Sequence, residues 1–416
     1  MSSVSPEDDE GLELQKKLDK IRSQINSKLP NQQQLALILQ TIEENLDQQH
    51  QEATPTAYFI SFISLLDQCC ENDEVKDYEL ATGALYFLSM VSPFTPKVLL
   101  RPHFAELLAK VAPVLTDDRA KAPLVRSGIH FLESLLAAQD RGAWNNVHNY
   151  KISPNRGFKG LLELASDHRP KVRKAAQEAV HSILMDVPTG SGKDHPASRS
   201  AAEFALENLT AVMHDKDSTR SFSKEKNADV VHSLQLISSI ATANAWPSNQ
   251  VKRLCDILLQ LCRSADEFMV SSAFEVFDSL FTSINGEIDE ARFNEVLDVL
   301  LGLKPSYNDT HLAPVWLAVI AKGVTTYSHD VSSTNCFMRF PHLFKIIGSY
   351  LESQSKDVYV SAAQCLVAIC SDGIDPAILL APPANDRETY EGVERVIDNL
   401  SQITNDFLSV KFRHCA

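Results

Sequence analysis

The stretch that most constrains this chain is Asp167 to Val180, DHRPKVRKAAQEAV. Asp167 reads as an N-cap, and Pro170 falls in the first turn, where a missing N–H costs nothing. Val172, Ala175, Ala176, Ala179 and Val180 recur at three- and four-residue steps and give one narrow apolar stripe. So thin a stripe cannot stabilise an isolated helix, and its alanines let a neighbouring helix come close. That is the pattern of a repeating unit.

Sliding the pattern along the chain finds seven anchors: Leu80, Val125, Val172, Val230, Val270, Val315 and Val360. Three residues after each stands a small residue: Gly83, Gly128, Ala175, Ser233, Ala273, Ala318 and Ala363. The next position is apolar in six, with Gln364 the exception. The intervals between anchors are 45, 47, 58, 40, 45 and 45 residues. HEAT and armadillo repeats have a period of about 40–47 residues. The long interval contains VPTGSGKDHPASRS (187–200), read as a loop insertion. The fold expected is all-α: a right-handed α-solenoid of about seven HEAT/armadillo-like helical hairpins. The repeat-defining core is Gly83, Gly128, Val172, Ala175, Ala176, Ala273, Ala318 and Ala363.

Before the repeats, Leu14, Leu18, Ile21 and Ile25 mark one helix face, and Leu35, Ile38, Ile42 and Leu46 a second. Pro30 ends the first helix and Asn31 is placed to cap the next, which makes 12–50 an N-terminal capping hairpin. Residues 1–11 are acidic and polar and read as disordered, with no secretory or transit signal. The solenoid occupies 55–380, and 381–416 reads as a linker and a truncated final helical segment starting near Glu394. Trp246 and Trp316 are expected to be buried.

Composition narrows the function. The chain of 416 residues contains 14 glycines and is 44% hydrophobic, as a packed helical protein should be. No apolar run approaches the ~18 residues of a membrane span. The eight cysteines are scattered in apolar contexts, which indicates reduced thiols. A net charge of -15 repels phosphate backbones overall.

Candidate chemistry is thin. PTGSGKD (188–194) lacks the first glycine of a P-loop, where Val187 stands, and Asp194 takes the place of Ser or Thr. Cys255 with Cys262, and Cys365 with Cys370, lack zinc spacing, and His329, Cys336 and His342 are too loosely spaced. Neither HExxH spacing nor a nucleophile elbow occurs. No catalytic, cofactor or metal site and no small-molecule substrate is expected. The one clear basic segment is Lys151, Arg156, Lys159, Arg169, Lys171, Arg173 and Lys174, opposed by Glu163 and Asp167 and flanked by Trp144, Tyr150 and Phe158. Cations with aromatics suit RNA backbones and bases. The same charges also fit a solvated face or repeat-to-repeat pairing.

KLDKIRSQINSKLPNQQQLALILQTIEENL (17–46) and PTAYFISFISLLDQC (55–69) resemble the opening of the ribosomal RNA processing protein 12 family, HEAT-repeat proteins of ribosome assembly. The resemblance runs through the chain. It implies a non-enzymatic scaffold in pre-rRNA processing and in maturation and nuclear export of small-subunit precursors. The partners implied are pre-ribosomal particles, assembly proteins, pre-rRNA and the Ran-driven export receptors, in the nucleus and nucleolus with shuttling to the cytoplasm. In this repeat family Arg173 would pair with an Asp of an adjacent repeat. Family members are far longer, so an N-terminal fragment or truncated gene model is expected, its last repeat uncapped. A karyopherin-like receptor for basic cargo is the alternative; a phosphatase-type scaffold rests on fold analogy alone.

Overall fold

In the computed structural model the described residues are 6–71, 74–146, 153–190, 192–214, 224–263, 266–283, 290–330, 343 and 345–372, with 398, 401, 402 and 405. Helices account for nearly all the regular structure among them. α1 (Pro6–Arg22) and α2 (Pro30–Gln48) form the first hairpin. α3 (Pro55–Cys69) and α4 (Tyr78–Val91) form the second, joined through two two-residue strands, Cys70–Glu71 and Glu74–Val75, which pair antiparallel. A short α5 (Lys97–Leu100) leads to α6 (Phe104–Thr116) and α7 (Ala122–Ala137). α8 (Arg141–Trp144) precedes α9 (Pro154–Leu164) and α10 (Pro170–Met185). Then follow α11 (Ser198–His214), α12 (Lys224–Thr242), α13 (Ser248–Leu261), α14 (Glu267–Ser283), α15 (Glu290–Gly302), α16 (Leu312–Asp330) and α17 (Lys356–Asp372).

Two compact units result, Met1–Ala201 and Ala202–Ala416. All seven anchors lie on the second helix of a hairpin. These second helices pack in series: α4, α7 and α10 in the first unit, α12, α14, α16 and α17 in the second. Hairpins also pack on themselves, as α3 does on α4 and α13 on α14. This is an α-solenoid, whose core is a strip of apolar side chains between consecutive layers.

Several boundaries differ from expectation. α1 begins at Pro6, so residues 6–11 are helical and not a disordered lead. Pro30 opens α2 at its first turn, with Leu29 as N-cap and Asn31 inside the helix. Arg169, not Asp167, is the N-cap residue of α10. Asp167 instead accepts the Arg169 amide at 2.7 Å from the turn before it. The expected segment 381–416 lies almost wholly outside the described residues, as do Lys151, Tyr150, Cys336 and His342.

The small positions are buried at Gly83, Gly128, Ala175, Ser233 and Ala273. A Cβ on Gly83 would overlap Ile38 Cδ1 of α2, and one on Gly128 would lie 2.9 Å from Leu115 Cδ2. Val172 and Ala176 are fully buried. In the last two repeats the frame is wrong: Ala318 and Ala363 are exposed. Trp316 takes the core position in α16, its indole N–H donating to the Leu300 carbonyl at 2.8 Å. The close approach falls instead at Gly323, where a Cβ would meet the Phe281 ring at 3.0 Å. In α17 the buried small residue is Ala362. Trp246 is buried as well.

Candidate interaction surface

The basic segment sits on the α9–α10 hairpin, and its two halves differ. Ser153 caps α9, its hydroxyl accepting from the Asn155 amide. Asn155 Nδ2 donates to the Trp144 carbonyl at 2.7 Å, which ties α8 to α9. Trp144 and Phe158 lie edge to face at 5.8 Å and are 2% and 1% exposed. These aromatics are core, so they cannot stack on bases.

The cations separate by burial. Arg169 makes a forked pair with Asp167, 2.9 and 2.7 Å, and donates to the Ala120 carbonyl in the preceding repeat. The guanidinium beside it holds the Asp167 carboxyl below its usual range against the opposing effect of burial. Arg173 is 9% exposed and donates to the Asp167 carbonyl at 2.9 Å, within its own hairpin. This bond goes to a main-chain oxygen of the turn between α9 and α10. Both arginines hold the turn. Arg156 and Lys159 on α9 and Lys171 and Lys174 on α10 are exposed. Lys174 lies 3.7 Å from Glu178, an opposing charge just past the segment first counted. An exposed pair of this kind contributes little.

The Arg169–Ala120 bond adds residues that sequence reading missed. It holds the turn between α6 and α7 against the turn between α9 and α10, so exposed Arg119 and Lys121 join His168 and Lys171 on one edge. Arg119 also pairs with Asp117 at 3.0 Å. Some 50 residues of sequence separate the two turns, and only the repeat register could have linked them.

The segment 192–197 is fastened rather than loose. Arg141 donates to the carbonyls of Gly192 and Asp194 at 3.1 and 2.7 Å. Gly190 and Gly192 both adopt φ +144°, a region that favours glycine. What this segment turns toward Arg141 is the carbonyls of Gly192 and Asp194; a phosphate cradle needs converging N–H groups. His195 is buried edge-on against Trp144 at 4.7 Å, and its Nδ1 accepts from the Ala197 amide. Burial, with Arg141 nearby, pushes its pKa down to about 4. Among the described residues no group of three His, Cys, Asp or Glu side chains is placed to hold a metal, and no helix is long and apolar enough to cross a membrane.

A stack of helical hairpins with exposed charged edges is a HEAT-repeat scaffold, a class that binds through extended surfaces. Residues 20–288 match the model for RRP12-like N-terminal HEAT repeats, and residues 352–416 that for the HEAT repeats of ribosomal RNA-processing protein 12. The chain belongs to the RRP12-like family. It is 40% identical to Ribosomal RNA-processing protein 12 of Saccharomyces cerevisiae, over 97% of this chain and 34% of that protein. Identity is 26% to the putative Schizosaccharomyces pombe protein of the same name, over 86% of this chain and 30% of that one. The RRP12-like protein of Homo sapiens is 23% identical, over 91% of this chain and 28% of its own length. The chain therefore spans about a third of the length of these relatives. The family is one of scaffolds, not enzymes.

Proposed function

We propose that this chain is a binding segment of a ribosome-biogenesis scaffold. It acts in pre-rRNA processing and in maturation and nuclear export of small-subunit precursors. The names of its relatives support the rRNA-processing role, and the family resemblance supports nuclear and nucleolar residence, shuttling, and contact with assembly proteins and Ran-dependent export receptors. The observation that carries an RNA contact is the exposed basic edge of Lys121, Lys159, Lys171 and Lys174 in a chain of net charge -15. With Trp144 and Phe158 buried, that contact is to phosphates rather than to bases.

The test is binding of the chain to structured pre-rRNA across a salt series, beside a Lys159→Glu/Lys171→Glu/Lys174→Glu variant. Arg169 and Arg173 are left intact because they hold the fold. Affinity that falls with salt, with a shallower slope and a weaker Kd in the variant, is expected. Equal binding by both proteins, or none at low salt, overturns the assignment.

A further inference from the structure

α17 is apolar on two opposite faces. It packs on α16 and buries Val358, Ala362, Leu366 and Ile369. On its other side Tyr359, Val360, Ala363, Val367 and Ala368 line a groove of about 510 Å³. Val367 is 64% exposed there. At 3.6 residues per turn the two sets stand on opposite sides of one helix. A helix that is apolar all round belongs in an interior. In the same unit α14 lies between α12 and α16, and α16 between α14 and α17. The groove side of α17 calls for a cover of the same kind.

The chain carries a matching surface. Val393, Val396, Leu400, Ile403 and Phe407 recur at steps of three and four residues, one face of a helix. The described residues of this stretch, Asp398, Ser401, Gln402 and Asn405, are all helical and all exposed. Their steps of three, one and three place them on the side opposite the apolar stripe. The polar side thus faces solvent, and the stripe is left to be buried. Residues 352–416, matched as one block of HEAT repeats, hold both the groove and the stripe. Between them run the 18 residues of 373–390, in which Pro376, Pro382 and Pro383 oppose a continuation of α17. Extended, they span up to about 60 Å, more than twice the roughly 26 Å length of α17.

We propose that the groove on α17 is the seat of residues 391–408 of the same chain, with the stripe from Val393 to Phe407 laid against Val360, Ala363 and Val367. The contact closes the groove in cis and keeps it from a second copy or a foreign helix. It does not rest on the basic edge of the first unit, so either reading can fail without the other.

The test is hydrogen exchange of the whole chain, read peptide by peptide by mass spectrometry. In the parent, 391–408 should exchange about ten-fold or more slower than the same sequence as a free peptide. Val367→Asp and Ala363→Glu each put a charge on the groove and should speed exchange of 391–408 about ten-fold or more. Both positions are exposed, so peptides from α14 and α16 should keep the parent rates. Val367→Leu keeps the groove apolar and should keep the protection. The proposal is overturned if 391–408 exchanges like the free peptide in the parent. It is overturned if the protection survives both charged variants, which would seat the segment elsewhere, or if both variants release α14 and α16 equally, which would mean general unfolding. Protection that falls on dilution, together with the mass of a dimer, would assign the groove to a second copy and overturn it as well.

Discussion

The Tyr78 hydroxyl donates to Asp117 Oδ2 at 2.5 Å across 39 residues of sequence. Asn227 Nδ2 donates to Asp266 Oδ2 at 2.6 Å across the same interval. Tyr78 and Asn227 both sit in the first turn of a hairpin's second helix, and Asp117 and Asp266 in the turn of the next hairpin. Each aspartate also accepts an amide of its own turn, from Arg119 and Met269. One carboxylate thus shapes a turn and ties it to the preceding repeat, once in each unit.

Asp266→Ala removes both duties. It takes away the acceptor of the Met269 amide and leaves half-buried Asn227 without that partner. The expected cost is about 1–3 kcal/mol. Urea unfolding followed by Trp246 and Trp316 fluorescence reports on this unit. A loss below about 0.5 kcal/mol, the range of plain surface changes, would show that the turn aspartate is dispensable.

Ala273→Leu and Ala318→Leu compare two positions that the repeat pattern treats as equal. Ala273 is fully buried between helices, and three extra carbons there should cost about 1–3 kcal/mol. Ala318 faces solvent, so the same change should stay within about 0.5 kcal/mol. Equal losses would restore the sequence frame.

That pair shows what the sequence made legible. The period and the small positions through Ala273 follow from volume: Gly83 and Gly128 are where a neighbouring helix leaves no room for more. The frame failed in α16 because a valine–small–apolar motif can be laid on that helix in more than one phase. Trp316, the largest side chain there, claimed the core and turned Ala318 outward. For the basic segment, composition identified the cations but not their burial. Arg169 and Arg173 are spent on turn oxygens, and Lys121 enters only through a contact 49 residues away. The aspartates that organise the turns, Asp77, Asp117, Asp266 and Asp309, stand at unequal distances from the anchors, which hid them.

Arg173→Ala should destabilise the first unit by about 1–3 kcal/mol, because a nearly buried charged hydrogen bond to the Asp167 carbonyl is lost. Lys174→Ala, one residue on and 78% exposed at its side chain, should stay within about 0.5 kcal/mol. Thermal unfolding of both proteins separates the structural from the solvated cation. If Lys174→Ala is the more damaging, the division of the basic segment is wrong.

Acid should loosen the loop after α10 before it affects most carboxylates. His195 is buried against Trp144, and its folded-state pKa lies near 4, below the usual value of 6.5. The unfolded chain therefore takes up a proton first as pH falls. Stability from this residue is complete above about 6.5 and is lost as pH drops toward 4, by at most about 3 kcal/mol. His195→Phe keeps a ring against Trp144 and removes the titration, so its stability between pH 6.5 and 4 should be flatter than that of the parent. Trp144 is the first unit's own tryptophan, and its fluorescence in denaturant at several pH values follows the effect directly. Parallel pH curves for the two proteins would place the acid-sensitive group elsewhere.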